Sequence, residues 1–201
     1  MEAEQLNNQL NNRLSRCFDI DTRNIELLVS SPLRRALHTA DLVFSGMLNE
    51  VPRVVQSDAR ERLYLSSDVG SMKNELVVAF PQWDYSSLSD YAWWFTGPEF
   101  GVPYVEWRPP GKYACLGEPD SVFRTRIKAL KSWLLNRPGE PCNLNSILHP
   151  ILLVLLFCPE QTILLVSHWG VIRALTGWSL SNCEIRACAA DLLLQEAYID
   201  P

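Results

Sequence analysis

The sequence predicts an α/β protein with a mostly parallel central sheet, and three observations carry that prediction. Two apolar runs, residues 25–30 (IELLVS) and 162–166 (TILLV), have the length and character of buried strands. Each run ends in small or turn-forming residues and passes directly into apolar positions at helical spacing. Strand-like and helix-like stretches alternate over much of the chain, which is the pattern of helices packed on a parallel sheet.

Composition narrows the class. A chain of 201 residues, 47% apolar and 20% charged, fits one domain (residues 1–201) with a sizeable core. A net charge of −5 without a long basic run argues against nucleic acid as a partner. The six cysteines (Cys17, Cys115, Cys142, Cys158, Cys183, Cys188) form no CxxC pair, and residues 1–16 are polar rather than signal-like. They read as reduced thiols in a cytoplasmic protein. Cys183 and Cys188 have no neighbouring histidine, so no metal site is expected.

The elements follow in order. Residues 3–16 form an amphipathic helix with Leu6, Leu10 and Leu14 on one face, and 17–24 a polar loop. Residues 25–30 make the first central strand. Ser31 and Pro32 then open a helix as N-cap and first helical residue. Its apolar face is Leu33, Ala36, Leu37, Ala40, Val43, Phe44 and Met47. Residues 54–57 suit a short strand, 58–70 a loop and 71–80 a helix that ends before Pro81. Residues 82–112 hold Trp83, Trp93, Trp94 and Trp107 without periodicity, as expected of a long excursion that walls a pocket. Asp120 or Ser121 caps the next helix, whose stripe is Phe123, Ile127, Leu130 and Leu134 and which stops near Pro138-Gly139. Residues 147–158 (ILHPILLVLLFC) are almost wholly apolar, too short to span a bilayer and broken by Pro150. A buried or ill-fitting segment is expected there rather than a membrane helix. The second central strand, 162–166, and its helix follow. Residues 182–189 and 191–197 suit a last strand and a short helix.

The chemistry is expected where strands end and helices begin. In open α/β sheets, ligands collect at the carboxyl ends of strands, and helix N-termini there favour anions. Val29-Ser30-Ser31-Pro32-Leu33-Arg34-Arg35 and Val166-Ser167-His168-Trp169-Gly170 are two such junctions. If their strands are parallel neighbours, both open on one edge. Arg35 in the first helical turn suits a forked grip on phosphate, or is a solvated surface arginine. His168 at the strand end is either a functional group or a satisfied structural histidine. Glu61, in the 58–70 loop, is either a surface partner of Arg60 or Arg62, or an acid. Beside bound phosphate its pKa would be raised, which suits protonation of a leaving oxygen.

These stretches resemble one family. SPLRRALHTA (31–40) matches the S-P-L-x-R-A-x-x-T-A signature of the histidine phosphatase superfamily, the phosphoglycerate mutase-like proteins. LLVSHWGVIRALTG (164–177) is similar to its second-histidine motif, and ARERLYLSSDVGS (59–71) to its acidic loop. Their order and spacing agree with the family over residues 2–188, apart from one segment. The resemblance implies a three-layer α/β/α sandwich and phosphoryl transfer through a phosphohistidine without metal or other cofactor. It implies that Arg35 binds phosphate, that Glu61 is the general acid and that His168 hydrogen-bonds the transferring group. The substrate class implied is a small phosphorylated metabolite, with no membrane partner.

Two departures qualify these expectations. The family opens on a strand ending in Arg-His-Gly, whose histidine is the nucleophile, and this chain contains no Arg-His-Gly. By the resemblance it starts late, without that central strand. The remaining histidines are His38, three residues after Arg35 and expected to pack or be solvated, and His149, which has no motif around it. The other departure is residues 139–159. Joining Arg137-Pro138 to Glu160-Gln161 restores an ordinary connection, so that segment reads as an apolar insertion. The expectation is therefore a phosphatase-type parent, with this chain weak or inactive. The alternatives are a non-catalytic phospho-ligand-binding module and an unstable truncated product.

Overall fold

Alternation along the central strands decides where everything else packs. The computed structural model describes residues 25–44, 50–94, 117–136, 162–180 and 193, together with the backbone of 151–152, 154–158, 161 and 185–189. The elements in chain order are β1 (Leu27–Ser30), α1 (Arg34–Phe44), β2 (Arg53–Val55), α2 (Lys73–Ala79), α3 (Asp120–Leu135), β3 (Ile151–Leu152), β4 (Val154–Cys158), β5 (Gln161–Val166), α4 (Trp169–Thr176) and β6 (Ile185–Ala189). Two short 3-10 turns, Ser57–Ala59 and Ser66–Asp68, interrupt the loop after β2. The expected helix at 3–16, the loop at 17–24, Met47, residues 95–112 and most of 191–197 lie outside the described residues.

The sheet runs in the order β2-β1-β5-β4-β6-β3. β1 lies parallel to both neighbours, with Val29 opposite Val54 on one side and Leu165 on the other. The α/β class therefore stands, built on a parallel trio β2-β1-β5. The sheet as a whole is mixed, because β4 is antiparallel to β5, with Val154 opposite Leu165. Part of the apolar 139–159 segment is thus a strand beside β5. Only two residues separate β4 from β5, a hairpin connection that forces the antiparallel pairing.

Successive strand residues point to opposite faces. Leu28, Val55, Leu164 and Val166 join a cluster with α1, α2 and Trp83, Trp93 and Trp94. Leu27, Val29, Val54, Ile163 and Leu165 join another with α3 and α4. Apolar side chains on both faces explain why the two runs are continuous rather than alternating. Leu28, Ile163 and Leu165 are fully buried, each contributing about 2 kcal/mol by removal from water.

The helices follow their stripes, with shifted ends. α1 buries Ala36, Leu37, Ala40 and Phe44, but begins at Arg34 rather than Pro32. The Leu33 carbonyl accepts the first helical bonds, from the Ala36 and Leu37 N–H groups, while the Ser31 hydroxyl holds the Leu33 N–H ahead of the helix. α3 buries Phe123, Ile127, Leu130 and Leu134, and with them Arg126. Its N-cap is Pro119, with Asp120 the first helical residue. α4 ends on Gly177, whose φ of 76° is the left-handed geometry that favours glycine. Beyond β2 the chain doubles back. Asp84 exchanges backbone hydrogen bonds with Arg53 and Val55, and Trp83 donates its indole N–H to Asp41 of α1 at 3.0 Å. Among the described residues no helix is long and apolar enough to cross a membrane.

Candidate functional site

Since β1 and β5 are parallel neighbours, their carboxyl ends lie side by side. Ser30 is opposite Val166, and the Ser31 N–H donates to the Val166 carbonyl at 2.9 Å. Both strand-to-helix junctions therefore open on the same sheet edge.

His168 sits at the second junction, 8% exposed. Its Nε2 shares a 2.7 Å hydrogen bond with the Ser31 hydroxyl across the two junctions. That hydroxyl also accepts the Leu33 N–H at 3.2 Å. Burial, reinforced by the nearby charges of Arg35 and Arg126, lowers the His168 pKa to about 3. The imidazole is therefore neutral at any ordinary pH. Its backbone caps α4, accepting the Ile172 N–H at 2.9 Å.

Glu61 reaches the same helix end. One carboxylate oxygen accepts the Arg62 N–H at 2.8 Å, and the other accepts the Gly170 N–H at 3.3 Å. A Cβ at position 170 would fall 2.6 Å from the first of these oxygens, so glycine makes this approach possible. Burial raises the Glu61 pKa, the two N–H donors oppose that, Asp68 raises it further and Arg35 lowers it. The sequence offered Arg60 or Arg62 as ion-pair partners. Instead Arg60 bonds Glu118 at 3.2 Å and Arg62 pairs with Asp120, which leaves Glu61 to backbone donors at a helix N-terminus.

Arg35 lies at the rim with its side chain 45% exposed. It donates to the Ser67 carbonyl at 2.7 Å and to Asp68 at 2.9 Å. Asp68 is itself buried and accepts the Tyr64 and Leu65 N–H groups at 3.2 and 2.9 Å. Arg35 is therefore neither a free hook nor an untethered surface group. It makes no hydrogen bond to His168 or Glu61, and its charge acts on both through space.

The structure thus brings together Ser31, His168, Glu61 and Arg35 at one edge. It keeps His38 away: that ring is exposed and packs edge-on against Phe80 at 4.8 Å. His149 lies outside the described residues. Among the described residues no group of three or more His, Cys, Asp or Glu side chains is arranged to hold a metal ion.

Sequence reasoning missed three contributors. The Ser31 hydroxyl holds the Leu33 N–H at the helix entry and also bonds His168, a partner that nothing local indicates. Asp68 stood in the 59–71 stretch without a role, and it holds both the 64–65 turn and Arg35. Arg126 does leave a signal in the sequence, a charge set among the apolar positions of the α3 stripe. The arrangement offers a neutral imidazole, a carboxyl group whose pKa burial raises, and a guanidinium within electrostatic range. No protein-family model matches the chain, and comparisons with curated proteins and with solved structures find no match to it.

Proposed function

We propose that this edge binds the phosphoryl group of a small phosphorylated molecule, in a histidine phosphatase-like domain. On this reading the helices on the two sheet faces are the outer layers of a three-layer α/β/α sandwich of the phosphoglycerate mutase type. One observation carries it: the 2.7 Å His168–Ser31 hydrogen bond joins the two junctions, with Glu61 on the Gly170 N–H beside it. Arg35 supplies the positive charge, His168 a neutral hydrogen-bonding group, and Glu61 the acid. In the parent reaction a phosphomonoester is hydrolysed through a phosphohistidine, and Glu61 protonates the leaving oxygen. This chain carries no Arg-His-Gly, and His38 is turned outward. Binding without efficient turnover is therefore the function expected of it.

Inorganic phosphate stabilises the chain by mass action if the reading is right. The melting temperature rises with phosphate concentration, and Arg35→Gln removes most of that rise. An aryl phosphate is turned over slowly or not at all. A phosphate titration that leaves the melting temperature unchanged would sink the reading. Efficient turnover that survives His168→Ala would move the site elsewhere.

A further inference from the structure

The loop that delivers Glu61 is held in an uncommon way. Surface loops ordinarily leave their carbonyls to water. Here four successive carbonyls, 57 to 60, are each gripped by a side chain. The Ser57 carbonyl accepts from the Arg60 guanidinium at 3.1 Å. The Asp58 and Arg60 carbonyls accept from Nη1 of Arg126 at 2.7 and 2.9 Å. The Ala59 carbonyl between them accepts from the Ser167 hydroxyl at 2.7 Å. Glu61 is the next residue, and Ser167 is the neighbour of His168.

Arg126 is itself fixed. Its side chain is 4% exposed and forked on Glu118, with Nε to Oε1 at 2.9 Å and Nη2 to Oε2 at 2.6 Å. Glu118 is fully buried and also accepts from Arg60. Burying such a pair is seldom the cheapest way to hold a core together, since apolar residues of similar volume often serve as well or better. What this pair supplies is direction: one guanidinium plane meets a carboxylate on one edge and two backbone carbonyls on another. The Glu61 carboxylate lies close against the α4 N-terminus, with the Gly170 N–H at 3.3 Å from one oxygen, so its place there depends on where the loop carries it.

We propose that Arg126, with Ser167, is a positioning residue for Glu61, setting the carboxyl group against the α4 N-terminus and fixing its distance from His168. Arg126 acts through the carbonyls on either side of Ala59. The functional part of the inference rests on the phosphoryl-binding reading above, and the geometric part does not.

Arg126→Lys keeps the charge and loses the fork. Two readouts separate the two parts. The first is the titration of the Glu61 carboxyl carbon, followed by NMR on protein labelled in its glutamates. The charged side chains acting on Glu61 are Asp68 and Arg35, and neither is altered. In Arg126→Lys the midpoint falls toward that of an ordinary glutamate as the loop opens and burial is lost. An unmoved midpoint overturns the proposal whether or not phosphate binds. The second readout is phosphate affinity in a double-mutant cycle. Arg126→Lys weakens binding roughly tenfold in the native background and less than about twofold with Glu61→Gln. Equal losses in both backgrounds mean a general structural role and overturn the proposal. If phosphate does not bind the native chain, the phosphoryl reading fails and the carboxyl titration still decides the positioning role. Should Arg126→Lys not fold, Ser167→Ala releases only the Ala59 carbonyl and moves the Glu61 midpoint the same way by less. No movement there also overturns the proposal.

Discussion

At the end of β1 the chain takes three residues, Ser31, Pro32 and Leu33, to enter its helix; at the end of β5 it takes two, Ser167 and His168. The slower entry leaves Arg35 at the rim, 45% exposed and braced by Asp68. The faster entry leaves His168 on the floor, 8% exposed and neutral. Two junctions of one design thus divide the labour by depth. Charge stays where water lessens the cost of carrying it, and the buried position takes a group that carries none. On the phosphoryl-binding proposal, an arriving anion would meet the guanidinium first and lose its water only against neutral and backbone donors.

The strongest way to break this arrangement is to cut the bond between the junctions. Ser31→Ala leaves both the Leu33 N–H and His168 Nε2 without their present partner in a buried place. A loss of about 3 kcal/mol is expected, read by urea unfolding, since each orphaned buried group costs about 1–3 kcal/mol. Destabilisation below about 0.5 kcal/mol would mean that the two junctions are not coupled through this hydroxyl. Gly170→Ala ranks next, at about 2 kcal/mol, because its Cβ must displace the Glu61 carboxylate. The corresponding place in the first junction, the second residue of its helix, already carries a full side chain, Arg35, so only the second junction should be this sensitive. Phosphate-dependent stabilisation measured on the same variant should shrink together with its stability. Retention of the full phosphate effect would detach Glu61 from the site.

What the sequence made legible, and what it hid, follows the same division. Periodicity located β1, β5, α1 and α3, because burial on two faces or along one stripe leaves a pattern in the residues themselves. The edge shared by Arg35 and His168 was legible too, since two apolar runs ending in turn residues imply two parallel strands. Side-chain destinations were not legible. Nothing local in SPLRRALHTA says that Arg35 turns to Asp68, more than thirty residues away, or that Ser31 meets His168. Those partners are set by the packing of α1 and the 64–68 turn against the sheet. α1 starts two residues later than proline's preference for a first helical position suggests, because the Leu33 carbonyl and not that of Ser31 accepts the first helical bonds. Strand β4 was hidden for another reason. A run such as ILLVLLF fits a buried strand or a buried helix equally, and only its two-residue link to β5 decides the matter.

The depth difference also has a pH signature. The pKa of His168 is about 3 when folded and about 6.5 in the unfolded chain. Below pH 6.5 the unfolded state takes up a proton that the folded state refuses. Stability from this group is therefore present above pH 6.5 and is lost as the pH falls toward 3. Between pH 6.5 and 5 the loss is roughly 1.5 kcal/mol. Glu61 acts in the opposite sense, because its pKa is raised: its contribution is present at low pH and is lost as the pH rises through its folded value. Unfolding of Glu61→Gln and Glu61→Gln/His168→Gln, compared at the two pH values, isolates the histidine. The double variant should lose most of the difference in slope. An unchanged slope would mean that His168 titrates normally and is not buried neutral.

The smallest effect on stability is expected at the rim. The Arg35–Asp68 pair is half in water, and such pairs contribute about 0–1 kcal/mol. Arg35→Gln should therefore unfold within about 0.5 kcal/mol of the native chain while losing roughly tenfold in phosphate affinity, the loss of one charged hydrogen-bonding partner. Asp68→Asn separates two roles that Arg35 could play. It keeps an oxygen acceptor for the Tyr64 and Leu65 N–H groups but removes the counter-charge from Arg35. If Asp68 only braces the arginine, affinity falls as the side chain loses its aim. If Asp68 competes with the ligand for the guanidinium, affinity rises. A fall fits a rim whose cation is aimed in advance by its own carboxylate; a rise fits one whose cation must be released before it can bind. Either outcome leaves His168 undisturbed, since its hydrogen bond is to Ser31 alone among the described residues.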